Sequence, residues 1–150
     1  MPETGDPISA ALIADMRVTQ PNTLLVASAG NMREAADHFP ATLTRQNNTV
    51  LPVAATKYGA FGWELASFNT CRVLLEAGMT PLGAPGVNLI VNDGSGNRGI
   101  TGTSFAAPIV SAVAALQRQS DPTNLRLGSS LLQHVVDSAA YLGNFKLVRY

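Results

Sequence analysis

A chain of 150 residues, 46% of them hydrophobic, is long enough to bury one core and has an ordinary globular composition. Ten basic and ten acidic residues cancel, so nothing in the charge draws in nucleic acid or an anionic membrane, and neither is expected as a partner. The single cysteine, Cys71, excludes an intramolecular disulfide, and no apolar run is long enough to cross a bilayer.

The N-terminus lacks a basic region ahead of an apolar stretch, so it does not read as a signal peptide. Localisation is left open, secretion being compatible with a longer precursor. Asp6-Pro7 reads as an N-cap with proline at the first helical position, and Ile8, Leu12 and Met16 then recur on one face of a short amphipathic helix ending near Arg17. Thr23 to Gly30 is nearly continuous and apolar, the pattern of a parallel strand buried on both faces, with Asn31 at its carboxyl end. Thr49 to Thr56 is a second such run, in which Pro52 argues for an edge or irregular position.

Gly86 to Val91 reads as a third strand, ending in the turn-forming Asn92 to Asn97. Two helices follow, one from about Ser104 to Gln119 and one capped by Asp121-Pro122 and running to about Asp137. There is no repeat, low-complexity tract or linker, and the alternation of strands and helices indicates one layered α/β domain. Gly94 to Gly99 matches GxGxxG. A dinucleotide fingerprint would open a helix at its third glycine, whereas Ile100 to Thr103 intervenes, so the reading is a tight hairpin turn. Asn47-Asn48-Thr49 is a glycosylation sequon, relevant only to a secreted chain.

The most informative stretch is Gly102-Thr103-Ser104-Phe105-Ala106-Ala107-Pro108, which places a serine among small residues at a helix start. Free N–H groups and the positive dipole end there suit an attacking hydroxyl whose product oxyanion needs a donor nearby. Pro108 removes the helix bond to the Ser104 carbonyl, a breach of local rules of the kind that marks functional sites. A plain N-cap by Thr103 or Ser104 with a tolerated proline is the competing reading.

Gly102 to Pro108 resembles the nucleophile motif of the subtilisin-like serine proteases, and Val26-Ala27-Ser28-Ala29-Gly30-Asn31 resembles their oxyanion-hole segment. Phe39-Pro40-Ala41, Val50 to Thr56, Ala66 to Asn69 and Gly83 to Asn88 fall between them in the family's order. The resemblance implies a partial subtilisin-like three-layer fold, a mostly parallel sheet with flanking helices. It makes Ser104 the nucleophile and Asn31 the oxyanion donor, and it makes Ala27, Ser28, Ala29, Gly30 and Thr103 substrate-binding. It implies a peptide or protein substrate and no cofactor, and leaves metal sites open.

The family's aspartate and histidine motifs precede its oxyanion segment, and the first thirty residues here contain no histidine. The expectation is the C-terminal portion of a peptidase domain, dependent on a missing N-terminal segment or a complementing chain, because a serine hydroxyl needs a base and the base an orienting carboxylate. His134 with Asp137 one turn on, His38, Lys57 and Lys146 sit in no matching motif. Cys71 to Leu82 is longer than the family pattern, and Cys71 reads as a small semi-buried hydrophobe. The rival from another class is a non-catalytic structural or interaction module that keeps the packing without the chemistry.

Overall fold

Residues Val50 to Thr56 are buried without interruption, which a strand achieves only when both faces and both edges are covered. In the computed structural model, which describes residues 7–32, 38–45, 48–69, 81–92 and 94–149, that strand is β2 (Val50–Gly59). Around it lie α1 (Pro7–Thr19), β1 (Leu25–Ser28), a 3₁₀ turn (Ala41–Arg45), β3 (Gly62–Leu65), β4 (Leu82–Pro85) and the pair β5 (Leu89–Asn92) and β6 (Asn97–Ile100). The chain continues through α2 (Thr103–Ser120), α3 (Gly128–Ser138), β7 (Ala140–Leu142) and β8 (Phe145–Leu147). The main sheet runs β1-β2-β4-β8-β7 with β3 also on β2. Strands β1, β2, β4 and β8 are parallel, and β3 and β7 antiparallel to their neighbours.

Alternate side chains of β2 face two different layers. Leu51, Val53 and Ala55 meet Ala106, Ala107, Val110 and Ala114 of α2, together with Leu131 and Val135 of α3. The alanines let the α2 backbone approach the sheet closely. Val50 points the other way, with Ala27, Ala41, Ile13, Leu25 and Leu43. The result is helix, sheet, helix: the three-layer α/β fold expected from the sequence.

Strand parity explains how one flank of β2 serves two partners. Leu25 donates its N–H to the Thr49 carbonyl at 2.8 Å, Ala29 to Val53 at 2.9 Å, and Ala66 to Ala55 at 2.9 Å. Odd-numbered peptide groups of β2 thus turn to one flank, where β1 occupies the first half and β3 the second, end to end. Even-numbered groups turn to β4, as in the bond from Gly86 N–H to the Thr56 carbonyl at 3.0 Å. Ala55 falls at the junction between β1 and β3, where no strand residue lies opposite its N–H. The Asn69 side chain fills the gap: its Oδ1 accepts from the Ala55 N–H at 2.8 Å, and its Nδ2 donates to the carbonyls of Ala55 at 2.7 Å and Ala66 at 2.8 Å.

Several expectations are corrected. Pro52 lies in a central strand, tolerated because its ring nitrogen faces the β4 flank, where the ladder begins one residue later at Val53↔Leu82. The third run, Gly86 to Val91, is strand only from Leu89, and Leu89–Asn92 pairs with Asn97–Ile100 in a separate hairpin whose turn holds the first of the clustered glycines; the parallel strand is Leu82–Pro85, ahead of that run. Asp121-Pro122 does not start the last helix, which begins at Gly128; the Asp121 carboxylate instead accepts from the Asn124 backbone at 3.2 Å and side chain at 3.0 Å, closing a turn. In α1, Ile8 and Leu12 are 70% and 61% exposed, and Ile13 carries the packing. Asp6, Asn47 and Cys71 lie outside the described residues.

Two outcomes follow from this topology. Asn69→Ala strands the buried Ala55 N–H and removes two donors, and is expected to cost roughly 2–4 kcal/mol of unfolding free energy in urea titration, with Asn69→Asp at least as damaging. At the sheet's end, the peptide groups of Val26 and Ser28 alternate with those bonded to β2 and, among the described residues, meet no further strand. The 150-residue chain with its zero net charge is therefore expected to self-associate, and sedimentation showing a stable monomer would count against this.

Candidate active site

Strand β1 stops at Ser28 because β3 takes over the flank of β2 beyond it. The chain turns out of the sheet at Gly30, whose φ of 93° suits glycine, and delivers Asn31 to the start of α2. There the Thr103 N–H donates to Asn31 Oδ1 at 2.9 Å, and the Thr103 hydroxyl donates to the same oxygen at 3.0 Å. A backbone N–H can only donate, so the atom facing it must be the amide oxygen. The amide is thereby fixed in one orientation with Nδ2 on the other side. A Cβ placed on Gly102 would lie 3.3 Å from that nitrogen, which puts the free donor beside the residues leading into Ser104.

Ser104 is exposed in the first turn of α2. The helix N-cap is Gly102, with no side-chain capping bond, so neither Thr103 nor Ser104 is spent as a cap and the competing N-cap reading fails. Phe105 donates its N–H to the Gly102 carbonyl at 3.1 Å and Gly102 donates to Gly86 at 2.8 Å, pinning the approach to the serine from both sides. The first N–H groups of a helix have no partner in the helix itself. Ser104 thus stands exposed at a helix N-terminus, with the oriented carboxamide bonded to the residue before it, elements of the kind that stabilise negative charge.

Ser104 also lines a groove of about 450 Å³ with Val26, Ser28, Ala107, Pro108 and Ser111. Of the other residues expected to touch substrate, Ser28 lines this groove. Ala27 and Ala29 are 4% and 2% exposed as whole residues, Gly30 is buried, and the Ala29 N–H is bonded to the Val53 carbonyl, so these three present little surface to a substrate. Thr103 is fully buried and holds Asn31, a positioning part that its place in the motif alone did not reveal. The signal for it was present in the sequence as a hydroxyl residue between Gly102 and Ser104.

The alternative bases are elsewhere. The hydrogen bonds from the Asn124 side chain and backbone, and in smaller measure the charge of His134, hold the Asp121 carboxyl below the usual carboxylate range. His134 therefore lies near the C-terminal end of α2, about 25 Å along the helix from Ser104 at 1.5 Å per residue. Asp137 accepts from Gln133 at 2.9 Å. The Lys57 ammonium sits 3.2 Å from Glu64, and that of Lys146 donates to the Val136 carbonyl at 2.9 Å. The His38 carbonyl accepts from Thr42 N–H at 3.0 Å, at the start of the 3₁₀ turn. Among the described residues no group of three or more His, Cys, Asp or Glu side chains is placed to hold a metal ion.

Comparison with known proteins agrees with this geometry. The Subtilase family, peptidase S8, matches residues 2–149. A thermostable alkaline protease of Halalkalibacterium halodurans is 32% identical over 134 residues, which make up 88% of this chain and 33% of that protein. The self-cleaved protease domain of PatA superposes with a TM-score of 0.70 at 29% identity, covering 93% of this chain and 49% of that one. The prenylagaramide maturation protease PagA gives 0.71 at 26%, covering 93% and 48%. The chain thus spans between a third and a half of the length of these relatives. With the match running almost end to end, and with the strand-end amide and helix-start serine in place, this chain belongs to the subtilase family.

Proposed function

We propose that this chain is the nucleophile-bearing part of a serine endopeptidase. Ser104 Oγ attacks the scissile carbonyl carbon, the carbonyl oxygen takes up the electron pair, and Asn31 Nδ2 with the Ser104 N–H donates to that oxyanion. Collapse of the tetrahedral adduct expels the amine and leaves an acyl-serine, which water then hydrolyses. The proton leaving Ser104 goes to a histidine supplied from outside residues 1–150 and is handed on to the leaving amine. What supports the reading is the paired bond from Thr103 to Asn31 Oδ1, which fixes the amide with its nitrogen 3.3 Å from where a Cβ on Gly102 would lie, two residues before the serine.

In the natural full-length gene product, a fluorophosphonate probe is expected to label the protein, and Ser104→Ala to abolish the labelling. Asn31→Ala is expected to lower kcat on the order of 10²–10³, a magnitude borrowed from subtilisin itself. The 150-residue chain alone should label near background, since loss of the base costs on the order of 10⁶ in turnover, again a subtilisin value. Absence of Ser104-dependent labelling in the full-length protein would favour the non-catalytic module instead.

Thr103 gives a finer test. Thr103→Ser keeps the hydroxyl donor and is expected to retain activity. Thr103→Val keeps only the backbone bond, and kcat should fall about tenfold with KM little changed, the signature of an interaction made in the transition state.

A further inference from the structure

The hairpin β2–β3 ends in an aromatic cluster that the chemistry at Ser104 does not use. Between Lys57 and Glu64 lie six uncharged residues, Tyr58-Gly59-Ala60-Phe61-Gly62-Trp63. Phe61 at the tip is 106% exposed, Tyr58 74% and Trp63, the chain's single tryptophan, 37%. Tyr58 and Trp63 face each other across the ladder, and their rings meet edge to face with centroids 5.5 Å apart at 82°. On the opposite face the Lys57–Glu64 pair at 3.2 Å neutralises the only flanking charges. Apolar surface held this rigidly loses little entropy on binding a partner.

The hairpin also carries an open edge. The bond from Ala66 N–H to the Ala55 carbonyl sets the alternation, so the peptide groups of Gly62 and Glu64 face β2 while those of Trp63 and Leu65 face outward. Among the described residues β3 pairs only with β2. Trp63 therefore offers a free backbone donor and acceptor on the edge and an indole on the adjoining face. That combination suits strand addition by an extended peptide with apolar side chains at alternate positions.

Position ties this edge to the serine. Backbone bonds lead from Thr56 to Gly86 and from Gly86 to Gly102, two residues short of Ser104, and Tyr58 is two residues beyond Thr56. At about 5 Å per bonded step and about 3.3 Å per residue, Tyr58 lies within about 23 Å of Ser104, the span of roughly seven extended residues. A membrane is the less fitting occupant: no unpaired basic residue flanks the tip, and a single protruding ring is a weak anchor.

We propose that the outer edge of β3 with Tyr58, Phe61 and Trp63 is an exosite that takes up, as an added strand, an apolar segment of the polypeptide substrate about five to eight residues from the scissile bond. This rests on the peptidase reading. The test compares kcat/KM of the full-length protein on a short peptide, on the same peptide extended by eight residues of alternating Leu and Phe, and on one extended by Ser and Gly. The apolar extension is expected to raise kcat/KM about tenfold over the polar one. The gain should vanish in the triple variant Tyr58→Ser, Phe61→Ser, Trp63→Ser, and also when the extension is N-methylated at alternate residues, with the short peptide cleaved as before in each case.

Equal rates for the two extensions, or a gain that survives the triple variant, would overturn the exosite. So would co-sedimentation of the protein with phosphatidylcholine–phosphatidylglycerol vesicles that is lost in Phe61→Ser. Fluorescence anisotropy of the labelled apolar extension on the Ser104→Ala protein reads the exosite without chemistry. Binding there that the triple variant lacks supports the exosite even if no Ser104-dependent cleavage is found, which separates its failure from that of the peptidase reading.

Discussion

The site depends on a competition for one flank of β2. Parallel β1 and antiparallel β3 both draw on the odd-numbered peptide groups of that strand, and neither can lengthen without displacing the other. At the junction the Asn69 carboxamide substitutes for a peptide unit, satisfying both backbone groups of Ala55. Since β1 must end at Ser28, the chain leaves the sheet at Gly30, and Asn31 is carried to the helix rather than continued into the ladder. The backbone accounting at the centre of the sheet and the placement of Asn31 against Thr103 at the start of α2 are one constraint.

Much of this was legible in the sequence. The apolar runs beginning at Thr23 and Thr49 announced parallel strands, of which the second is buried and the first, at the sheet's edge, is only half-buried, and small residues around Ser104 announced a helix start. Less legible were elements whose identity depends on partners far along the chain. Leu82–Pro85 is too short and too poor in β-branched residues to declare itself, and becomes a strand because β2 and β8 lie on either side of it. Tyr58 to Trp63 carries no strong turn dipeptide, so the extension of β2 into a hairpin was missed. Pro52 misled because its cost depends on which flank its nitrogen faces, and that is a matter of register.

The site was legible by motif before it was legible by physics. Ser104 and Asn31 stand 73 positions apart, and no local rule joins them; the bonds through Thr103 do. Two bonds from one residue to one oxygen restrict the amide more than a single contact would, and one of them comes from the backbone, where no side-chain substitution can remove it. Such preorganisation lets a donor act without rearranging as charge develops. Lys57 and Lys146 are held by Glu64 and the Val136 carbonyl, and His134 lies within reach of Asp121 at the far end of α2.

That lock between loop and helix has a further meaning for how the molecule is put together. The groups that would steady a developing anion are held entirely by bonds within these 150 residues. On the proposed reading the carboxamide keeps its orientation whether or not a base is at hand, so a form of the protein unable to move protons would be dormant rather than damaged.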